Sequence, residues 1–98
     1  MPVSQDNVRR IVKLRANPGT GPRMREALIA LARETIAEPE CAEFEFLQSL
    51  ADQDAFILIE DFASARALEM HMQAAHTRSF FALDLMASGA PIPKDWLS

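Results

Sequence analysis

The amino-acid sequence predicts an α+β fold of the ferredoxin-like, split βαβ type. The first observation is the order of elements, in which a strand and a helix precede two strands and a second helix. The second is the alternation of apolar and polar residues along 42–50, which is typical of a strand with one covered face. The third is the length of 98 residues, which suits a single domain over 1–98.

The first half of the chain supplies a strand and a helix. Residues 8–16, VRRIVKLRA, are rich in β-branched side chains and follow a polar segment, residues 1–7, that we expect to be a loose terminus. After the turn NPGTGP, apolar residues recur at helical spacing over residues 22–37, with Thr20 as the expected N-cap. Pro39 ends this helix.

The second half supplies a hairpin and a second helix. Residues 42–50 and the nearly continuous apolar run FILIEDF, residues 56–62, form the hairpin around the turn ADQDA. Ser64 caps the second helix, whose apolar positions continue to Met86. The segment 89–98 is a tail with two prolines, so it supplies at most a short last strand.

Alternation along the strands assigns their residues to two faces, because direct cross-strand neighbours share a face. We expect the aromatic face to lie under the helices. The helix-free face has an apolar centre with charges of both signs, which suits a symmetric homodimer. The helix-covered face holds Arg10, Val12, Leu14, Ala16, Phe44, Phe46, Gln48, Leu50, Phe56, Leu58, Glu60 and Phe62. The helix-free face holds Ile11, Leu47, Ile57 and Ile59 beside Arg9, Lys13, Glu43 and Glu45.

Glu60 is the unusual residue on the helix-covered face, since it stands between Leu58 and Phe62. A carboxylate in such surroundings needs a partner that offsets its loss of water. The first and third strands are antiparallel, so the start of one lies beside the end of the other, and Arg10 falls next to Glu60. The pair is either a structural ion pair at the end of the sheet or an acid–base group of a pocket.

Composition narrows the classes of function. The net charge of −4 argues against nucleic acid, which binds basic surfaces. The polar start MPVSQDNVRR indicates neither a leader peptide nor a membrane anchor, so we expect no membrane partner and a cytoplasmic location. Cys41 is the only cysteine, which rules out an internal disulfide. The sequence contains no glycine-rich phosphate loop or nucleotide fingerprint.

The two histidines, His71 and His76, are five residues apart. On a continuous helix this step leaves them about 140° apart, so one cleft cannot easily receive both. We therefore expect His71 to line a pocket and His76 to be turned away from it, with a local bond near a helix break. No carboxylate stands at ligand spacing from them and Cys41 is far away in sequence, so we expect no metal site.

The segment AEPECAEFEFLQSLADQDAFILIEDFASARALEMHMQAAHTRSFF, residues 37–81, resembles the antibiotic biosynthesis monooxygenase family, including its quinol monooxygenase-like members. The family pattern has an acidic residue, Pro and Cys after helix one, and a Glu at the end of the apolar strand. A His on helix two, a second His about five residues later and a Phe follow. These residues occur here in the same order and with similar spacing. VKLRANPG, residues 12–19, resembles its first strand and turn, and the resemblance covers residues 8–88. The matching residues are Glu38, Pro39, Cys41, Glu60, His71, His76 and Phe80.

Several positions depart from the family pattern. Glu40 stands where the family has Gly, Phe44 replaces its common Tyr, and Phe62 replaces its common Trp. The two aromatic changes remove two hydrogen-bond donors. The family's helix commonly breaks between the two histidines, often at a Pro, whereas Ala74 and Ala75 occupy that position here.

The resemblance implies a dimeric α+β barrel and a monooxygenase without metal, flavin or other cofactor. A small aromatic polyphenol or quinol would lose a proton to His71, tuned by Glu60, and its anion would react with O₂ in a dry pocket. The residues expected to contact the substrate are Arg10, Phe44, Phe46, Phe56, Phe62 and His76. Two alternatives use the same pocket. One is a non-catalytic dimeric binder of a small apolar ligand, and the other is an isomerase of a small metabolite that acts through His71 and Glu60.

Overall fold

The computed structural model describes residues 6–93 of the chain. Its elements are β1 (Val8–Ala16), α1 (Gly21–Ile36), β2 (Cys41–Gln48), β3 (Ala55–Phe62), α2 (Ala65–Gln73), α3 (Ala75–Ala82) and β4 (Met86–Pro91). The parts of the expected loose terminus and tail at 1–5 and 94–98 lie outside the described residues. Within 6–93, no helix has both the length and the apolar character needed to cross a membrane.

The four strands form one sheet in the order β2–β3–β1–β4. Both β1 and β2 pair antiparallel with β3, so they run parallel to each other on either side of it. β4 adds an antiparallel edge strand beside β1. This is the split βαβ arrangement, and the predicted ferredoxin-like α+β class is confirmed.

The strand register confirms the predicted faces. Arg10 of β1 and Phe44 of β2 lie opposite Glu60 of β3 on its two sides. Every second residue of β3 from Phe56 to Phe62 is buried, as expected for a face that lies under helices. Leu50 is the exception. β2 ends before it, and Leu50 lies fully exposed in the turn rather than on the sheet.

The core fills the space between the helix-covered sheet face and the helices. Removing this apolar surface from water stabilises the fold by about 25 cal/mol per Å². The largest fully buried side chains are Met24, Leu28, Thr35, Phe62 and Thr77. Thr35 satisfies its hydroxyl inside α1 by donating to the Leu31 carbonyl oxygen at 2.8 Å.

The N-terminus of α1 is held by the turn between β2 and β3, not by the side chain of Thr20. The Thr20 hydroxyl makes no capping hydrogen bond to the helix. Instead, Asp54 Oδ1 accepts the Gly21 N–H at 2.8 Å. A carboxylate at this end is favourable because the helix dipole is positive there. A Cβ atom at Gly21 would collide with the Gln53 carbonyl oxygen, so the close approach of turn and helix requires glycine.

The predicted second helix is in fact two helices. Ser64 caps α2 as predicted, because its Oγ accepts the Ala67 N–H at 3.0 Å. The backbone of Ala74 is extended, with φ −63° and ψ 149°, so the helix stops there and restarts as α3. Asp84, in the left-handed region at φ 53°, follows α3. The expected continuation of helical positions to Met86 is therefore wrong, since Met86 begins β4.

Candidate functional site

A small cavity lies between the helix-covered sheet face and α2 and α3. Its volume is about 190 Å³. An engineered apolar cavity of about 150 Å³ accepts benzene, so this space suits a single aromatic ring. Met72 and Phe81 line it and are also exposed, so they mark the side on which it meets solvent. The polar residues of its wall are Arg10, Glu60, His71 and Thr77.

His71 of α2 presents one ring nitrogen to this cavity. The side chain is 3% exposed, and Nδ1 lies 2.8 Å from Glu38 Oε2. Because a carboxylate only accepts, Nδ1 carries the proton of the neutral ring and Nε2 carries the lone pair. Within residues 6–93 no hydrogen bond involves Nε2, and Glu38 does not line the cavity, so the ring edge that carries Nε2 is the one turned towards it. A lone pair facing a cavity, with a carboxylate behind the ring, is the arrangement of a general base.

Two aromatic rings hold the imidazole in place. The Phe62 ring lies tilted against His71 with centroids 4.9 Å apart, and the Phe44 ring meets it edge-on at 5.2 Å. Phe44 and Phe46 line the cavity, whereas Phe56 and Phe62 do not. The expectation that all four rings contact substrate is therefore too broad. Phe62 packs against the His71 ring, and Phe56 packs in the core beside a separate groove along α1 and β2.

His76 is turned away from the cavity, as predicted, yet it lies close to His71. Its Nε2 lies 2.6 Å from Glu38 Oε2, the same oxygen that His71 contacts, and the two imidazole centroids are 6.0 Å apart. The two rings share a carboxylate because the extended backbone of Ala74 removes the rotation of about 140° expected of a continuous helix. His76 does not line the cavity. It lines a groove of about 420 Å³ between α1 and α3.

Glu38 is the site residue that sequence reasoning missed, although the family resemblance included it. It follows α1 and is separated by 33 residues from His71 and by 38 from His76. No helical or strand spacing connects positions so far apart. The expectation of no metal site rested on spacing along the sequence, and the fold brings Glu38 to the histidines from outside that spacing. The signal available in the sequence was the co-occurrence of all three residues in the family pattern.

The Arg10–Glu60 pair on the cavity wall is confirmed. Arg10 Nε and Nη2 lie 2.8 and 2.6 Å from Glu60 Oε2, and Glu60 is only 2% exposed. Within residues 6–93, Glu60 makes no hydrogen bond to His71. The group that orients the imidazole is thus Glu38, while Glu60 is held by a permanent cation.

Cys41 at the start of β2 is a poor nucleophile. Burial raises the pKa of its thiol, and the negative charge of Glu38 raises this pKa further. The thiol also lies 3.6 Å from the Glu43 carbonyl oxygen, to which it donates a weak hydrogen bond. Burial and Glu38 outweigh the Glu43 contact, which lowers the thiol pKa, so the thiol has little reactive thiolate at neutral pH.

The fold and the site together define a class: a ferredoxin-like α+β protein with a one-ring cavity and an imidazole oriented by a carboxylate. The family model described as antibiotic biosynthesis monooxygenase matches residues 7–83. The chain belongs to the antibiotic biosynthesis monooxygenase family. No functionally curated protein matches it significantly in sequence.

Solved structures share the fold along nearly the whole chain. A Pseudomonas aeruginosa protein is similar with a TM-score of 0.82 and 24% identity, covering 91% of this chain and 92% of that one. A Nitrosomonas europaea protein, provisionally described as an antibiotic biosynthesis monooxygenase, has a TM-score of 0.81 and 22% identity over 94% and 91%. At such identities the similarity demonstrates the common fold alone.

Proposed function

We propose that the protein is a monooxygenase that uses neither flavin nor metal in its chemistry and acts on a small aromatic polyphenol or quinol. The observation that carries this proposal is the orientation of His71, with Nδ1 on Glu38 and Nε2 open to a cavity sized for one ring. The proposed location is the cytoplasm, where a lone cysteine such as Cys41 stays reduced.

The base takes the first step. His71 Nε2 accepts a proton from the bound hydroxyl, and Glu38 stabilises the resulting imidazolium. The ring anion then gives its electrons to O₂ and forms a carbon–oxygen bond, which leaves a peroxide on the ring. His71 returns its proton to the outer peroxide oxygen. The O–O bond then breaks, the outer OH leaves as water together with the hydrogen of the same ring carbon, and that carbon becomes a carbonyl at the quinone level. One oxygen atom stays on the product and the other becomes water.

Arg10, another residue of the cavity wall, supports the anionic intermediate. Its guanidinium is always charged, and it lines the cavity while paired with Glu60. The pair places a fixed dipole beside the ring without exchanging protons. The apolar remainder of the wall, which includes Phe44, excludes water and so favours reaction of the anion with O₂.

The test is a panel of quinols and polyphenols incubated with the protein under air and under argon, with O₂ uptake and product formation recorded. His71→Gln should lower the rate by about 10²–10⁴-fold, the usual contribution of a general base. Arg66→Gln, on the exposed surface of the same helix, is the matched control and should leave the rate unchanged. Conversion without O₂ would indicate an isomerase, and binding without turnover would indicate a binder.

We also propose that a second copy of the chain covers the helix-free sheet face. Leu47 is 44% exposed there, and Ile57 and Ile59 lie beside it on the middle strand. The charges at the rim are already paired in part, as Arg9 lies 3.5 Å from Glu43. Light scattering should find a dimer at micromolar concentration, and Ile59→Lys should dissociate it. A monomeric wild type would remove this part of the proposal.

A further inference from the structure

We propose that Glu38, His71 and His76 form a binding site for a divalent transition-metal ion of the zinc type, and that the bound ion blocks the base of His71. One ligand atom from each residue, a carboxylate oxygen and two imidazole nitrogens, lies within 4.8 Å of the others. The site itself depends only on these three residues. Its effect on catalysis rests on the function proposed above.

The three side chains converge from three segments that are separate in the sequence. Glu38 follows α1, His71 lies near the end of α2, and His76 lies in the first turn of α3. The extended residue Ala74 between the helices is what brings the second imidazole towards the first. The His76 and Glu38 side chains are 18% and 20% exposed, and His71 is almost completely buried, so the cluster is a pocket and not a surface patch.

The donor set fits ions of the zinc type. Imidazole nitrogen and carboxylate oxygen are preferred ligands of zinc, and three protein ligands leave a fourth tetrahedral position for water. Zinc bonds of about 2.0–2.2 Å separate tetrahedral ligand atoms by about 3.3 Å. The Glu38 oxygen now lies 2.8 and 2.6 Å from the two nitrogens. The oxygen–nitrogen separations must grow by about half an ångström or slightly more, with the two hydrogen bonds replaced by metal bonds, and the two nitrogens, now within 4.8 Å of each other, must reach the same spacing.

The groove between α1 and α3 gives an ion access to the cluster. His76 lines this groove together with Glu34. No Lys or Arg is among its lining residues in the described chain, so no fixed cation repels a metal there. Glu34 Oε2 lies 3.6 Å from His76 Nδ1, the ring nitrogen that faces away from Glu38. A carboxylate behind a ligating imidazole orients the ring and raises its basicity.

Metal binding and base catalysis require the same atom of His71. When Nδ1 coordinates an ion, the proton of the neutral ring moves to Nε2, which faces the cavity. The nitrogen that accepts the substrate proton in the free protein then becomes a donor. An ion at this site therefore inhibits the proposed oxygenase without occupying the substrate cavity.

The binding test uses the full chain, stripped with a chelator and titrated with Zn²⁺ by calorimetry. We expect one ion per chain. Glu38→Gln and His76→Gln should each weaken binding more than about 100-fold, and Glu34→Gln about 10–100-fold, the usual effect of a residue behind a ligand. Glu69→Gln, an exposed residue of α2, should leave the affinity unchanged. Circular dichroism establishes that each variant is folded, and His76→Gln changes a partly exposed side chain while the buried His71 keeps its contact with Glu38.

Absence of Zn²⁺ binding, or binding that is equally strong in folded His76→Gln, would overturn the site. The effect on the base has its own measurement, the ¹⁵N NMR shifts of the His71 ring. These shifts should show the proton on Nδ1 in the stripped protein and on Nε2 with zinc. Unchanged shifts would show that the ion does not block the base of His71. Where a quinol substrate is found, zinc should inhibit turnover at its binding concentration and a chelator should restore it. Because calorimetry and NMR need no substrate, failure of the oxygenase proposal is distinguishable from failure of the site.

Discussion

Two carboxylates, the buried Glu60 and the partly exposed Glu38, differ mainly in their partners. Glu60 accepts two nitrogens of one guanidinium at 2.8 and 2.6 Å, and Glu38 accepts one nitrogen from each of two imidazoles at 2.8 and 2.6 Å. The distances are the same, but a guanidinium keeps its protons, whereas an imidazole nitrogen can give one up or accept one. One cluster is therefore a fixed ion pair, and the other can transfer protons or receive a metal ion.

The largest expected loss of stability follows from breaking the Arg10–Glu60 pair, and it distinguishes this pair from the cluster around Glu38. Glu60→Leu leaves the Arg10 charge without its partner, and we expect the free energy of unfolding to fall by about 3 kcal/mol. This is the lower end of the range for broken buried pairs, because the Arg10 side chain is 35% exposed and can turn towards water. The measurement is urea unfolding.

The double variant Arg10→Met/Glu60→Leu is the control for this prediction. It removes both charges and should recover most of the lost stability, since well-packed apolar residues often replace a buried ion pair without cost. A loss below about 1 kcal/mol in the single variant would mean that the pair behaves like one on the surface.

Glu38→Gln should have an intermediate effect. It replaces the charged acceptor of two hydrogen bonds with an amide oxygen, and we expect a loss of about 2 kcal/mol, because hydrogen bonds to charged groups contribute more than neutral ones. The measurement is urea unfolding at pH 7. A loss as large as that of Glu60→Leu would contradict the distinction between a fixed and an exchangeable cluster.

His76→Ala should lower the free energy of unfolding by about 1 kcal/mol, through the loss of one hydrogen bond to Glu38. The fold should remain, because His71 still holds Glu38 and the His76 side chain is partly exposed. Melting temperature and ligand affinity, measured for both His76→Ala and His71→Ala, show which histidine serves binding and which serves stability. If His76→Ala abolishes ligand binding while His71→Ala has no effect, the roles given to the two histidines are reversed.

The smallest expected effect is on the pKa of the Cys41 thiol, which responds to the charges of both carboxylates. Burial contributes most to the raised pKa of its thiol, Glu38 contributes next, and Glu60 contributes less. Glu38→Gln should therefore lower the thiol pKa more than Glu60→Gln does, as measured by the pH dependence of alkylation. The opposite order would show that Glu60 carries more of the local negative charge than its pairing with Arg10 allows.

The raised thiol pKa also has a consequence for stability. A group that binds its proton more tightly in the folded state contributes stability below its unfolded pKa and loses it as the pH rises. The difference in unfolding free energy between wild type and Cys41→Ala should therefore shrink as the pH rises through the range of a free thiol, about 8.5, towards the folded value. A difference that grows over this range would contradict the sign of the shift.

The two carboxylates also differ in how far the sequence could predict them. Glu60 and Arg10 lie on strands, and the alternation of side chains fixes which residues share a face and which are opposite. The pair could therefore be predicted from the pattern, and the register confirms it. Leu50 shows the limit of the same rule, since alternation continues in the sequence after the strand has ended.

The sequence by itself determined the order of the elements, the two faces of the sheet and the Arg10–Glu60 pair, because each depends on periodicity along neighbouring residues. Only the tertiary structure decided that Glu38 joins His71 and His76. No proline marks the helix break at Ala74 in the sequence. The contact of Glu38 with the two histidines depends on how α1 packs against α2 and α3. Such packing is set by side chains far apart in the chain, so no local spacing encodes it.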